Sequence, residues 1–376
     1  MAHAYTPGLR VAARTRIRKV RRLPLKGEVL AERGQKVAAE DVVARTELPG
    51  NVQPVKAASI LGVHQADLRD FMLKKEGDGV AKDEVIALSK SFFGLFKSTC
   101  KSPCDGTLES ISTITGQIII REPPIPVQVD AYIDGVVTEV IEGEGVAVET
   151  AGAFIQGIFG IGGEVNGILR VLVGDPSEEL QENHLTGDLA GCVIVGGSRV
   201  SVSVLTNARD KGARAVVAGG FDAGDIKKLL GYDLGVAITG TETFGATLVV
   251  TEGFGRMNMA DRTFRLLKEN EGRKVSVNGA TQIRAGVMRP EIIVPLEESQ
   301  RGGVGEDVDA EPKGVDAGSL IRAIRAPHFG KIGKVTSLPP ELQERPSGAK
   351  VRVLSVRFLD GEEATIPRAN VEMIEE

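Results

Sequence analysis

Residues 23–44 read LPLKGEVLAERGQKVAAEDVVA, in which two short apolar runs flank a turn with a glycine and charged residues. The same order recurs in LKKEGDGVAKDEVIA (73–87) and YIDGVVTEVIEGEGVAVET (132–150), and SPCDGTLESISTITGQIII (102–120) shares the Asp-Gly of the third segment. Such repetition predicts a repeated structural unit, so we expect a β region over residues 23–173. In each repeat a glycine takes positive φ and a valine lies in a small core: Gly34 with Val37, Gly77 with Val80, and Gly145 with Val146.

The phrases GEVLAERGQKVAAEDVVA and EGDGVAKDEVIA resemble the half-motifs of biotinyl and lipoyl carrier domains and of other barrel-sandwich hybrids. Carrier domains present a modifiable lysine at the hairpin tip between their halves. The stretch that follows Ala44 here is RTELPG, which has no lysine, and no MKM or DKA triplet occurs in the chain. The resemblance therefore implies a rigid β scaffold, and we expect no cofactor.

Between residues 174 and 296 the pattern changes to strands that alternate with helices, which predicts an α/β domain whose sheet is buried on both faces. This phrasing loosely resembles swivelling β/β/α domains. The predicted helices are 202–212, 223–231 and 259–270, and the predicted strands are 192–197, 213–220, 235–240, 246–253, 273–279 and 290–295.

Residues 297–318 are rich in acids, glycine and proline, which is typical of a linker. In residues 319–376 the core FGKIGKV, followed by FLDG and ATIPRANVEMIE, resembles the KOW motif of SH3-like barrels in ribosomal proteins and transcription elongation factors. The sequence thus predicts a multidomain α+β chain. It has a β-rich barrel-sandwich-like N-terminal region, a central α/β domain and a small C-terminal SH3-like β-barrel.

Charge is distributed unevenly. Residues 1–27 hold eight basic residues and no acid, so the remaining 38 basic and 51 acidic residues give the rest of the chain a charge of −13. We predict a basic N-terminal arm over residues 1–22 whose alternation of residues is typical of a strand. This arm either binds phosphates, such as those of RNA, or docks on the acidic body of this chain or of another copy. The candidate nucleic-acid or partner-binding residues are Arg14, Arg16, Arg18, Lys19, Arg21 and Arg22 in the arm, and Arg325, Lys331 and Lys334 in the barrel, where Arg322 and His328 are further candidates.

A possible anion or ligand pocket lies in the central domain, because ligands commonly bind at strand ends of α/β sheets and arginine clamps anions. Its candidate residues are Thr241, Glu242, Thr251, Glu252, Gln282, Arg284 and Arg289. The structural alternative is that Glu242 or Glu252 pairs with Arg284 or Arg289 to fix the loops.

Catalytic and metal motifs are missing from the sequence. It contains no G-x-S-x-G, H-E-x-x-H or Cys-x-x-Cys motif. The glycine-rich segment 156–167 lacks the spacing of a phosphate-binding loop and is better interpreted as a tight connection between two β modules or two domains. We expect no catalytic residues and no metal site. Three cysteines and no apolar run of membrane length indicate a reducing, cytoplasmic location with no membrane contact.

The functional prediction is a non-catalytic cytoplasmic binding or assembly protein, a homo-oligomer that contacts RNA, the transcription or translation machinery, or protein partners. Two alternatives stay open. One is a self-assembling structural scaffold. The other is an enzyme or small-molecule sensor with an anion site in the central domain.

Overall fold

The computed structural model is mostly β, with 49% strand and 14% helix arranged in several sheets, as the short glycine-bounded apolar runs predict. It describes residues 9–91, 96–230, 244–281, 289–296, 316–323, 327–328, 331–339, 342–344 and 350–373. Within these ranges, no helix is both long and apolar enough to span a membrane. The buried apolar side chains form separate cores.

Short strands fill the N-terminal part of the chain, together with one short helix and a 3₁₀ helix at Gln65–Phe71. The helix is α1 (Ala57–Leu61). The strands are β1 (Val11–Arg22), β2 (Glu28–Val29), β3 (Lys36–Val37), β4 (Val42–Leu48), β5 (Val52–Val55), β6 (Gly79–Val80), β7 (Val85–Ser91), β8 (Phe96–Lys101), β9 (Gly106–Ser112), β10 (Gln117–Arg121), β11 (Ile125–Asp130), β12 (Gly135–Ile141) and β13 (Gly145–Gln156).

The four repeats build two separate cores, and along the chain the second pair of repeats lies between the members of the first pair. Repeats 23–44 and 132–150 share a core that includes Val37 and Val146, and repeats 73–87 and 102–120 share a second core that includes Val80. One half-repeat has too few apolar side chains to enclose a core, so each half needs its partner. We call the enclosing unit (β1–β4 and β11–β13) the outer β module and the inserted unit (α1 and β5–β10) the inner β module.

The predicted turn conformations and buried valines of the repeats are confirmed. Gly34, Gly77 and Gly145 all have positive φ, at 86°, 96° and 149°. The three paired valines are buried, with at most 6% of their surface exposed. Local sequence therefore sets the geometry of each turn, because only glycine adopts these angles without strain.

The central part alternates strands with helices, as predicted. Its helices are α2 (Val202–Asp210), α3 (Ala223–Leu230) and α4 (Asp261–Glu269), and a 3₁₀ helix spans Glu182–His184. Its strands are β14 (Phe159–Ile161), β15 (Glu164–Val171), β16 (Cys192–Val195), β17 (Ala215–Phe221), β18 (Thr247–Phe254), β19 (Lys274–Asn278) and β20 (Glu291–Pro295). We call β14–β20 with α2–α4 the central module; the strand predicted at 235–240 lies outside the described residues.

One large sheet joins the central module to the outer β module. Its order is β14-β18-β17-β16-β15-β19-β20-β13-β12-β3, and β1 pairs with β13. Strands β15 to β18 run parallel, whereas β19, β20 and β13 are antiparallel neighbours. The sheet therefore continues across the boundary that the sequence predicts between residues 173 and 174.

Strand β1 is the segment for which the sequence predicts strand-like alternation. Thr15 and Ile17 are buried, while Arg16 and Arg18 between and beyond them are exposed. The strand pairs antiparallel with β13 from Val11 to Arg22. The strand prediction is confirmed, and the basic segment is part of the sheet from residue 11 onward.

The C-terminal module, residues 316–373, has its own sheet and core. Its strands are β21 (Leu320–Ala323), β22 (Ile332–Ser337), β23 (Leu342–Glu344), β24 (Lys350–Phe358), β25 (Glu363–Pro367) and β26 (Val371–Met373), and a 3₁₀ helix spans Arg368–Asn370. They pair antiparallel in the order β23-β24-β22-β21-β26, with β25 on β24. Its core includes Val335, Phe358 and Ile366.

Candidate functional site

The carboxyl ends of the parallel strands β16, β17 and β18 meet at one edge of the central sheet, which is where α/β sheets commonly bind ligands. Here that edge is filled by the chain itself. A Cβ atom on Gly197 would lie 2.3 Å from the main-chain oxygen of Glu178, and one on Gly220 would lie 2.0 Å from that of Gly255. Glycine is required at both positions because neighbouring backbone segments cross the strand ends in direct contact.

Glu252 lies near the end of β18, with its side chain buried at this edge. Its Oε1 atom accepts a hydrogen bond from the main-chain nitrogen of Ala260 (3.0 Å), the residue that precedes α4. Its Oε2 atom accepts one from Nη2 of Arg322, whose Nη1 also donates to the main-chain oxygen of Glu252 (3.2 Å). Both side chains are only 6% exposed. A residue of β21 thus reaches from the C-terminal module into the central module.

Glu252 has a partner that the sequence did not suggest. The structural alternative named Arg284 or Arg289, of which Arg284 lies outside the described residues, whereas the structure pairs Glu252 with Arg322, a residue that the sequence had assigned to RNA or partner binding. No local sequence pattern predicts this pair, because its members are 70 residues apart and belong to different modules.

Of the other residues of the predicted anion pocket, the structure describes Thr251 and Arg289. The hydroxyl of Thr251 is buried and donates to the main-chain oxygen of Ala218 (3.4 Å). Arg289 is half-buried just before β20. Thr241, Glu242, Gln282 and Arg284 lie outside the described residues.

The cations of β1 meet carboxylates of the same chain. Four of these cations form ion pairs: Arg18 with Glu139 and, at 3.5 Å, with Glu149; Lys19 with Glu291 at 2.5 Å; Arg21 with Glu164 at 2.6 Å; and Arg22 with Glu144 at 3.9 Å. Arg14 and Arg16 are exposed. Docking on the acidic body of the same chain, one of the two predicted alternatives, is therefore what these four side chains do.

A buried polar cluster forms where β1 meets the central module. The hydroxyl of Tyr132 donates to Oε1 of Glu291 (3.2 Å), whose Oε2 atom binds Lys19. Burial raises the pKa of Tyr132 well above its usual value, with further contributions from Glu291 and Glu164 and an opposing one from Arg21. Sequence reasoning missed this cluster, since Lys19 and Glu291 are 272 residues apart.

The cationic candidates of the C-terminal module differ in their surroundings. Lys331 binds Asp360 (2.7 Å) and also Glu362, and these hydrogen bonds raise its pKa. Lys334 is exposed and lies opposite Arg357 in the register of β22 and β24. Arg325 lies outside the described residues.

A shallow cleft of about 470 Å³ lies on the outer face of β1, β12 and β13. Its lining carries both signs of charge and an exposed apolar side chain, Val140. The described lining residues are Arg18, Arg33, Thr138, Glu139, Val140 and Glu149. Val20, two residues beyond Arg18 on β1, is also exposed.

Cysteines offer no metal centre among the described residues, where no group of three or more potential ligands converges. Cys100 is fully buried, and burial raises its pKa. The pKa of Cys104 is raised by burial, by Glu122 and by Asp105. Both thiols are therefore weak nucleophiles near neutral pH.

No protein-family model matches this sequence, and no curated protein is significantly similar to it.

Proposed function

We propose that this chain is a non-catalytic binding and assembly protein that associates with further copies of itself. In this proposal the outer and inner β modules are nested barrel-sandwich hybrids without a carrier lysine. The central module is an α/β domain, and the C-terminal module is an SH3-like barrel.

The observation that carries the proposal is the face formed by β1, β12 and β13, which we call the outer face. Val140, which is 40% exposed, lines the cleft there together with Arg18 and Glu139. An apolar surface rimmed by charged groups is typical of protein interaction sites. This face therefore supplies both the apolar contact and the polar rim that an interface needs.

The charges of the outer face favour a second copy as the partner. Arg18 and Arg33 lie beside Glu139 and Glu149 in one cleft. Arg18 is held by Glu139 and Glu149 of its own chain, so in a two-fold symmetric pair, where the same patch meets itself, Arg33 is the cation of the cleft that can meet carboxylates of the copy. A patch of one sign would repel its copy, which makes the mixed composition informative.

The paired cations favour assembly over RNA binding by β1. Arg18, Lys19, Arg21 and Arg22 lie within 4 Å of carboxylates of this chain, so they are partly neutralised before any phosphate arrives. The filled carboxyl edge of the parallel strands similarly speaks against the enzyme or sensor alternative. Thr251 and Glu252 already bond within the chain.

The test is the molar mass of the full-length chain by light scattering over a range of protein concentrations. We expect wild type to approach twice the chain mass of 39.8 kDa as concentration rises. Val140→Glu places a carboxylate beside Glu139 on the outer face, so the dissociation constant is expected to rise at least tenfold. Ile114→Glu is the control, because Ile114 is 86% exposed on the inner β module.

A wild-type chain that stays at 39.8 kDa at every concentration would refute self-association. An equal loss of mass in both variants would place the contact elsewhere. The ratio of absorbance at 260 and 280 nm, measured on the same samples at low and physiological salt, reports bound nucleic acid independently.

A second candidate function, RNA binding, rests on the C-terminal module. Lys334 is exposed and lies opposite Arg357, whose guanidinium binds Glu363 (2.6 Å), so Lys334 is the cation of the two that offers its charge to a phosphate. We expect Lys334→Glu to weaken binding of a fluorescent single-stranded RNA and to flatten its salt dependence. Lys331→Glu is the control at a lysine already bound to Asp360, and equal effects of the two variants would refute a specific role for Lys334.

A further inference from the structure

The central and C-terminal modules keep separate apolar cores, one containing Val249 and Phe264 and the other Val335 and Phe358. Arg322 of the C-terminal module donates two hydrogen bonds to Glu252 of the central module. Modules with separate cores are expected to move relative to each other unless a large apolar interface joins them.

Glu252 presents the acceptor geometry that suits a guanidinium group. Its main-chain oxygen accepts a hydrogen bond from Nη1 of Arg322, and its Oε2 atom accepts one from Nη2, so two donors of the planar guanidinium are engaged at once. The other carboxylate oxygen is fixed by the main-chain nitrogen of Ala260. A planar guanidinium can donate hydrogen bonds to both acceptors at once, whereas an ammonium group acts as a point charge. The site therefore favours arginine over lysine.

Burial makes this site selective for its partner group. Both side chains are 6% exposed, so Glu252 without Arg322 would be a carboxylate with little access to water. A buried carboxylate without a cation is unfavourable, whereas a buried pair as a whole adds little stability compared with apolar residues. The pair is therefore better explained by recognition of one specific partner group than by stabilisation of the fold.

We propose that the pocket at Glu252 is a binding site for an arginine side chain, occupied here by Arg322 as an internal ligand. A protein partner that presents an exposed arginine competes for this pocket and detaches the C-terminal module. Because Arg322 belongs to the same chain, its effective concentration at Glu252 is of millimolar order, and an arginine ligand must approach that concentration to displace it.

The first experiment is hydrogen exchange of the full-length Arg322→Ala variant, followed by mass spectrometry. We expect amides of residues 252–260 to exchange at least tenfold faster, while amides of the inner β module stay unchanged. N-acetyl-arginine amide at millimolar concentration restores protection of residues 252–260. N-acetyl-lysine amide is the matched control and does not restore it.

Equal rescue by the two amides, or rescue by neither, would overturn the proposal and leave Arg322 with a structural role. A second measurement uses wild type and does not depend on the folding of the variant. N-acetyl-arginine amide is expected to raise the radius of gyration measured by small-angle X-ray scattering, because the C-terminal module separates, while residues 252–260 stay protected. An unchanged radius of gyration up to 50-fold above a millimolar concentration would equally overturn it.

Discussion

Replacing Lys19 by methionine removes the cation from a buried carboxylate. Nζ of Lys19 lies 2.5 Å from Oε2 of Glu291, and the two side chains are 24% and 11% exposed. Removing one partner of a fully buried pair costs about 3–5 kcal/mol. Partial exposure of Lys19 and the remaining hydrogen bond from Tyr132 reduce this to about 2–3 kcal/mol.

Arg18→Met is the matched control on the same strand. Arg18 also binds a glutamate, Glu139, but those side chains are 45% and 55% exposed. Exposed ion pairs contribute about 0–1 kcal/mol, so the control should lose at most that much. The comparison separates burial from charge, because each variant removes one cation from β1.

Hydrogen exchange of the β20 amides measures the effect locally in a chain with several cores. A loss of about 2–3 kcal/mol corresponds to roughly 30- to 150-fold faster exchange for Lys19→Met, against less than about sixfold for Arg18→Met. The double variant Lys19→Met/Glu291→Gln should recover more than half of the loss, since glutamine removes the uncompensated charge and still accepts from Tyr132. Equal losses in the two single variants, or no recovery in the double variant, would refute the reasoning.

Three further predictions concern individual side chains. Because the pKa of Tyr132 is raised by burial, the folded chain keeps this phenol neutral above pH 10 while the unfolded chain ionises it. Its stability should therefore fall above pH 10, and less so in Tyr132→Phe; urea unfolding at several pH values measures this, and identical profiles would contradict it. Gly220→Ala should lower the urea midpoint, because its Cβ would meet a main-chain oxygen at 2.0 Å, whereas Gly224→Ala in α3 should raise stability by about 0.5–1 kcal/mol; a harmless Gly220→Ala would disprove the close crossing. Iodoacetamide at pH 7.5 should modify Cys104 slowly and Cys100 only after unfolding; mass spectrometry of the labelled peptides checks this, and rapid labelling of Cys100 would contradict its burial.

Local features of the chain were predictable to a large extent. Helix α2 begins after Ser201, whose hydroxyl accepts from the main-chain nitrogen of Val204, and ends before Gly212 with its positive φ. The alternation of charged and uncharged residues in β1 predicted a strand. Such features follow from propensity, capping and turn geometry, which act between residues close in sequence.

The arrangement of the candidate sites was not predictable in this way. The sequence identified Arg322 and Glu252 as candidates for two different sites, and the structure joins them in one pair. It also identified the repeats without revealing that one β module is inserted into the other. Both outcomes depend on which distant segments become neighbours.

The sequence by itself determined where strands, turns and helices form, because periodicity, glycine and capping residues act over a few positions. Only the tertiary structure decided which charges meet. Lys19 meets Glu291 although their partners on β13, Val148 and Gln156, are eight residues apart, so the strand pairing alone does not predict the contact. The strength of such a pair depends on burial, and burial exists only after the modules have packed together.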